Sequence, residues 1–474
     1  MIKVNFIYKG ENNVILGCIN ENINTIISRF HSETNIINDK SLQFLYKRNI
    51  INPNSTILEL LSDEKEKIKN YINIQVVEQN ENEENTETHN NKQEDLFIIK
   101  YQIEKKKGNI KIFSSYFVDK YKNICNIIYK GKKYDLTEIF CVKDKKIGKN
   151  ILEIKLNNIK YITDMSSMFS NCRSLLSFNC NSKNNLIKVN NIDHMFYKCS
   201  LLSCIDGLSK LNTINVTDMR RIFFECTSLT NLSPISNWNI INVTDIFEMF
   251  YRCSSLLTLE HISKWNSMNL VDIHRMFEGC SSLINLDGLL KWNTKNVKHM
   301  FGLFEECSSL TNLKGLSKWN TINVISMSRM FENCRSLISL NDLSEWNVLN
   351  VTDMYSMFCN CSSLLCLNGL SKWKTNNVKD MSYLFKGCYS LSSLDGITKW
   401  NTSNLTDIYG MCYGCTSLSN INGIANWNFS GINILYKIFY ECSSLSYINS
   451  KCKFNEEKIV FMFDECFQCV NLHL

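Results

Sequence analysis

Cysteine recurs at Cys172, Cys199, Cys226, Cys253, Cys280, Cys307, Cys334, Cys361, Cys388, Cys415 and Cys442, at a constant interval of 27 residues. The eight tryptophans, from Trp238 through Trp265, Trp292, Trp319, Trp346, Trp373 and Trp400 to Trp427, keep the same interval. An unbroken period of this size restricts the chain to architectures in which each unit buries its apolar face against its neighbours.

The unit beginning at Cys307 reads CSSLTNLKGLSKWNTINVISMSRMFEN. Leu310, Leu313, Leu316 and Trp319 are three apart, which predicts a tight turn leading into a short parallel strand. Met327, Met330, Phe331 and Cys334 fall at i, i+3, i+4 and i+7, the spacing of one helix face. Asn323 precedes this run, and Asn recurs there at Asn215, Asn242, Asn269, Asn296, Asn350, Asn377 and Asn404. Three residues further on stands Asp218, Asp245, Asp272, Asp353, Asp380 or Asp407. Asn as N-cap with an acid at N3 predicts a capped helix of about ten residues. The expected core columns include Cys253, Cys280, Cys307 and Cys334, Trp265, Trp292 and Trp319, and Leu310 and Phe331. A glycine column at Gly207, Gly288, Gly315, Gly369, Gly396 and Gly423 is interrupted by Pro234 and His261. Proline cannot take positive φ, so the column reads as close packing rather than a left-handed backbone.

The unit CSSLxxLxGLSKWNTxNVTDMxxMFxx resembles the BspA-type leucine-rich repeat of bacterial surface and mycoplasma-type lipoproteins and of microbial eukaryotes. The resemblance implies an α/β repeat solenoid over residues 159–474. It would have about 11–12 coils, each with one short parallel strand and one short helix, and would serve as a binding surface rather than a catalyst.

Residues 1–77 read differently. Ile2, Val4, Phe6 and Tyr8 alternate as in a strand, and Asn12–Cys18 returns beside them. Ile23, Ile26, Ile27 and Phe30 have helical spacing, while Leu42–Lys47 and Ile72–Val77 read as further strands. This order is similar to the ubiquitin-like β-grasp fold. The resemblance implies a docking surface at Phe44, Lys47 and Arg48. Val77 runs on into Glu78, so this copy lacks the free terminus that conjugation needs. Residues 78–96 are acidic, without an apolar anchor, and read as a disordered linker. Residues 97–158 read as a β-rich N-terminal cap. Fourteen lysines stand against five acids between Phe97 and Asn150, in a chain whose net charge is only +6.

No apolar stretch reaches membrane-spanning length, and the first residues carry no export pattern. The expectation is a cytoplasmic protein, with the nucleus as the alternative, whose 22 cysteines are reduced. The histidines form no metal-binding group. A CxxC at Cys466 and Cys469, with Cys452, is the one metal-like spacing, and no metal, cofactor or catalytic site is assigned. Lys264, Lys291, Lys318, Lys372 and Lys399, each preceding a Trp, form a candidate binding row with Lys210. Asn237, Glu345 and Asn426 interrupt it. The functional expectation is a non-enzymatic scaffold for protein partners, with the repeats binding one and the head docking another. An acidic protein or anionic surface would meet the basic cap at 97–150, and no nucleic-acid motif accompanies it. An adaptor of the ubiquitin–proteasome system and a structural component of a large assembly are the alternatives.

Overall fold

The structure is a computed structural model. It describes residues 95–103, 108–142, 150–182, 187–432, 435–446 and 462–463, together with five strands of the N-terminal region. The chain divides into two compact units, Met1–Lys92 and Gln93–Leu474.

In the first unit, β1 (Ile2–Tyr8), β2 (Glu11–Gly17), β3 (Leu42–Tyr46), β4 (Asn49–Ile50) and β5 (Tyr71–Glu78) form one sheet in the order β2-β1-β5-β3-β4. Only the β1–β5 pair is parallel. The unit stands as a mostly antiparallel sheet, and the ubiquitin-like β-grasp assignment is withdrawn. The helix which that assignment requires at Ile23–Phe30 lies outside the described residues, as do Lys47 and Arg48.

The second unit opens with another antiparallel sheet, built from β6 (Phe97–Gln102), β8 (Asn126–Tyr129), β9 (Lys132–Asp135), β11 (Ile151–Leu156) and β12 (Leu175–Cys180), in the order β12-β6-β11-β8-β9. A side ribbon pairs β7 (Asn109–Lys111) with β10 (Ile139–Cys141). Helix α1 (Ser115–Tyr121) is capped by the Ser114 hydroxyl, which accepts from the Phe117 amide at 3.2 Å. Alternation in β6 buries Phe97, Ile99 and Tyr101, and Phe117 and Tyr121 of α1 are also buried. Strand β12 belongs to the first repeat. Through Phe178, which lies 4.8 Å from Phe97 and 5.6 Å from Phe169, the sheet core continues into the repeats.

Beyond β12 the chain departs from the expected solenoid of strands and helices. No α-helix occurs among the described residues between 159 and 446. The expected strands reduce to single parallel bridges such as Ser339↔Cys366 and to the two-residue pair β13 (Ile187–Lys188) and β14 (Leu211–Asn212), while further bridges such as Asp353↔Asp380 stand where the helix was expected to begin. Each 27-residue layer instead holds a short 3-10 turn before its Trp, for example Lys314–Leu316, and a run of tight turns where the helix was expected.

Hydrogen bonding explains the difference. Met327, Arg329, Phe331 and Asn333 donate their amides to the carbonyls of Asp353, Tyr355, Met357 and Cys359 in the next layer, at 2.8–2.9 Å. The alternate amides of Met330, Glu332 and Cys334 reach back three residues. Arg329 and Asn333 take φ of 53° and 62°, which no helix allows. A chain of such turns buries Met327, Met330, Phe331 and Cys334 on one side, as a helix would. An isolated helix this short is marginal, whereas an identical segment one layer away offers a carbonyl to every second amide.

The expected caps have other jobs. Asn323 Nδ2 donates across layers to the Lys295 carbonyl at 2.7 Å, and Asn242, Asn269, Asn296, Asn350, Asn377 and Asn404 repeat the contact. Asp353 Oδ1 accepts from the amide two residues on, that of Tyr355, at 2.9 Å, as an Asx turn.

The core is a set of side-chain columns. Phe196, Phe223, Phe250, Phe277, Phe304, Phe331, Phe358 and Phe385 stack with ring centroids 5.4–5.8 Å apart. Trp265, Trp292 and Trp319 are 4% exposed, and each indole N–H donates to a carbonyl 30 residues back. Cys253, Cys280, Cys307 and Cys334 donate their thiols to Phe carbonyls 30 residues back at 3.2 Å. The glycine column is close packing, as expected. A Cβ at Gly315 would stand 1.7 Å from the Leu286 carbonyl oxygen, and its φ is not positive.

Candidate binding face

The turns that replace the helices give each layer an exposed rim. Its residues stand in register because adjacent layers bond amide to carbonyl. One column of that rim is acidic: Asp218, Asp245 and Asp272, then His299 and Ser326, then Asp353, Asp380 and Asp407, joined by successive parallel bridges. Two residues on stand Arg220, Phe247, His274, Phe301, Ser328, Tyr355, Ser382 and Tyr409.

In the earlier layers the chain supplies its own arginine and histidine side chains to this rim. Arg220 forms a bidentate pair with Asp218 and lies over Phe247 at 5.5 Å. Arg221 donates to Glu248 at 2.6 Å and also lies over Phe247, at 4.8 Å. The His274 ring sits between Phe247 and Phe301, with centroids 4.5 and 4.4 Å away and nearly parallel planes. Its Nδ1 lies 2.6 Å from Asp272 Oδ1. Burial pushes the Asp272 carboxyl up, but the hydrogen bonds from His274 outweigh it and hold the group below its ordinary value.

In the later layers the cations lie over the rings instead: Arg329 over Tyr355 at 5.3 Å, Lys386 over Tyr383 at 4.9 Å and Lys437 over Tyr436 at 5.3 Å. Tyr355, Tyr383 and Tyr409 form an edge-to-face ladder with centroids 5.9 and 5.1 Å apart, and Tyr436 continues it at 5.9 Å. Beside them Asp353 accepts from the Ser326 hydroxyl, while Asp407 accepts from the Ser382 hydroxyl and the Tyr409 amide. Among the described residues no cation pairs with Asp353, Asp380 or Asp407. Burial, and then the neighbouring carboxylates of Asp407 and Asp353, raise the Asp380 carboxyl. Carboxylates beside half-buried aromatic faces form a surface that holds a guanidinium or ammonium group.

The lysine row lies elsewhere on the layers. Lys264, Lys291, Lys318, Lys372 and Lys399 are all exposed, and Lys210 is half-buried. Glu345 joins the row rather than merely breaking it, since Lys372 Nζ donates to its carboxylate at 2.6 Å and holds that carboxyl below its ordinary value. In the basic cap, Lys100, Lys111 and Lys120 pair with Glu153, Glu138 and Asp164, while Lys132 and Lys133 are exposed. Residues 143–149, with Lys143, Lys145, Lys146 and Lys149, lie outside the described residues. So do Cys452, Cys466 and Cys469, and of Phe44 only its place in β3 is described. Among the described residues no cluster of three His, Cys, Asp or Glu could hold a metal ion, and no helix is long and apolar enough to cross a membrane.

Sequence spacing singled out the aspartates, as helix caps, but missed His274 and the rim they share. The signal was present in the aromatic, Arg or His residue that stands two after every aspartate of the column except Asp380, and it was hidden because the aspartates were read as helix caps.

The fold defines a second unit built from stacked 27-residue layers of turns, with a sheet at its start and charged and aromatic side chains displayed in columns on the rim. A family model described as "Mycoplasma protein of unknown function, DUF285" matches residues 135–256, 163–285, 257–367 and 365–471. These stretches together cover more than half of the chain, and the chain belongs to that family. The BspA-type leucine-rich-repeat label is corrected accordingly, because the layers lack the strand and helix that label implies. No curated protein and no solved structure matches the chain.

Proposed function

We propose that this chain is a non-enzymatic binding platform whose layered rim takes a cationic segment of a protein partner. The observation that carries the reading is the change along one rim. Where Asp218 and Asp272 lie, the chain's own Arg220 and His274 bind the carboxylates; where Asp353, Asp380 and Asp407 lie, no cation among the described residues pairs with the carboxylates, although Arg329, Lys386 and Lys437 lie over Tyr355, Tyr383 and Tyr436. The lysine row is a second, oppositely charged contact edge, and the basic cap is a place for acidic or anionic partners. Free thiols throughout the described layers fit the cytoplasm or nucleus. The ubiquitin–proteasome alternative rested on the withdrawn label for the first unit and is not carried further.

The test is binding of an oligo-arginine peptide by the full chain and by an Asp353→Asn, Asp380→Asn, Asp407→Asn triple variant. Asn keeps the turn acceptor, as Asn191 does natively for the Asp193 amide at 3.0 Å. The triple variant should lose at least tenfold in affinity, and a Lys264→Glu, Lys291→Glu, Lys318→Glu variant should not. Equal binding by both would overturn the assignment.

A further inference from the structure

Three consecutive layers place Glu278, Glu305 and Glu332 in one column, where their side chains are only 8, 10 and 15% exposed. Each has its Oε2 sealed from solvent and without a hydrogen-bond donor. The column that faces them is Arg275, Gly302 and Arg329. Arg275 Nε lies 3.3 Å from Glu278, while Arg329 is shared between Glu305 and Glu332 at 3.6 Å each. Three carboxylates therefore meet two guanidinium groups, and the missing cation belongs to the layer of Gly302. A Cβ at Gly302 would stand 3.1 Å from Glu305 Oε2 and 3.0 Å from Arg275 Cγ, so the carboxylate occupies the space that glycine leaves.

Among the described residues no third cation forms an ion pair with the ladder; Lys386 acts on Glu332 from further away and lowers its carboxyl, whereas Glu306 raises all three glutamates. Tyr251 precedes Glu278 in the same column, one layer before, and lowers its carboxyl. Cys359 continues the column after Glu332, with its thiol pushed up to about 12 by burial, and Lys386 stands one layer further, over Tyr383 and Tyr413. Arg252 and Glu306 flank the ladder and lie 3.9 Å from each other. Glu248 is taken by Arg221.

We propose that the Glu278–Glu305–Glu332 ladder shares one proton that it gives up only near neutral pH, which makes these middle layers a pH-sensitive joint of the stack. Carboxylates this close, and short of one counter-charge, cannot all ionise without a penalty. The direction agrees: burial, reinforced by Glu305, pushes Glu278 up to about 7, and burial raises Glu305 and Glu332 as well. The folded chain thus holds the proton more tightly than the unfolded chain. The stabilisation is complete below the ordinary glutamate value of 4.5, is lost as pH rises towards about 7, and changes no further above that.

The experiment follows the infrared band of protonated carboxyl groups and the urea midpoint of the full chain from about pH 5 to about pH 9. Wild type should keep a protonated band at about pH 6 that disappears above neutrality, with a midpoint that falls between about pH 5 and about pH 7 and is level beyond that. Two variants remove the imbalance in different ways. Gly302→Arg supplies the third guanidinium in a column where Arg275 and Arg329 already take positive φ, and Glu305→Gln removes the unmatched carboxylate. Both should lose the near-neutral band and at least half of the pH slope of the midpoint, whereas Glu260→Gln, at an exposed position in the turn before Trp265, should lose neither. If Gly302→Arg fails to fold, Glu305→Gln decides alone. Absence of a near-neutral band in wild type, or an unchanged slope in Glu305→Gln, would overturn the proposal. Neither result bears on the aspartate rim, which is tested separately.

Discussion

A cysteine at the same place in every layer packs as a small apolar group and also donates its S–H to a carbonyl one layer back. Burial pushes these thiols upward, so they are inert as nucleophiles. Thiol labelling of the native chain should therefore modify the exposed Cys141 quickly and the buried column from Cys172 to Cys442 only after unfolding. Rapid labelling of the column would show that the packing described for it is wrong. Leu310 has no hydrogen bond to lose and is completely buried, so Leu310→Ala tests the core alone. Its expected cost is about 2–5 kcal/mol by urea unfolding, the usual range for a leucine cavity. Buried columns of this kind were legible in the sequence because spacing specifies which residues share a side, whatever the backbone does between them.

At the scale of the element, the same spacing misled. The run from Met327 to Cys334 satisfies a helical pattern, and Asn323 with the acid column satisfies a capping pattern, yet the chain turns twice through positive φ instead. A window of one unit cannot show the competitor, which is the carbonyl row of a neighbouring layer 26 residues away. Two substitutions separate the two roles of the asparagine. Asn323→Ala deletes the bond to the Lys295 carbonyl and should cost about 0.5–1.5 kcal/mol. Asn323→Asp sets a carboxylate against that carbonyl and should cost more, whereas at a helix N-cap aspartate would be as good as asparagine. Urea midpoints of the two variants that rank the other way would restore the helix reading.

Across the second unit, each layer bonds to the one before and the one after, so stability there is close to a sum of layer and interface contributions. Excising residues 308–334 joins Cys307 to Arg335 and keeps the 27-residue phase of every column. The shortened chain should still unfold cooperatively, with a denaturant slope reduced roughly in proportion to the surface removed. Excising 308–330 instead breaks the phase and should abolish the single transition. Circular dichroism during urea titration distinguishes these outcomes. The antiparallel sheet at the start has no such freedom, since β12 from the first repeat is bonded to β6.

The period of 27, the Cys, Trp and Phe columns and the change of character near residue 159 follow from the sequence alone, because recurrence in the chain forces recurrence in the contacts. Whether an eight-residue segment coils on itself or bonds to its neighbour was decided only in three dimensions. Both choices bury the same side chains, and they differ only in where the amides find their carbonyls. That choice also created the rim: positive φ at Arg329 and Asn333 brings the aspartates, the aromatic ladder and the Glu278–Glu305–Glu332 column into register, a juxtaposition that no single unit of the sequence contains.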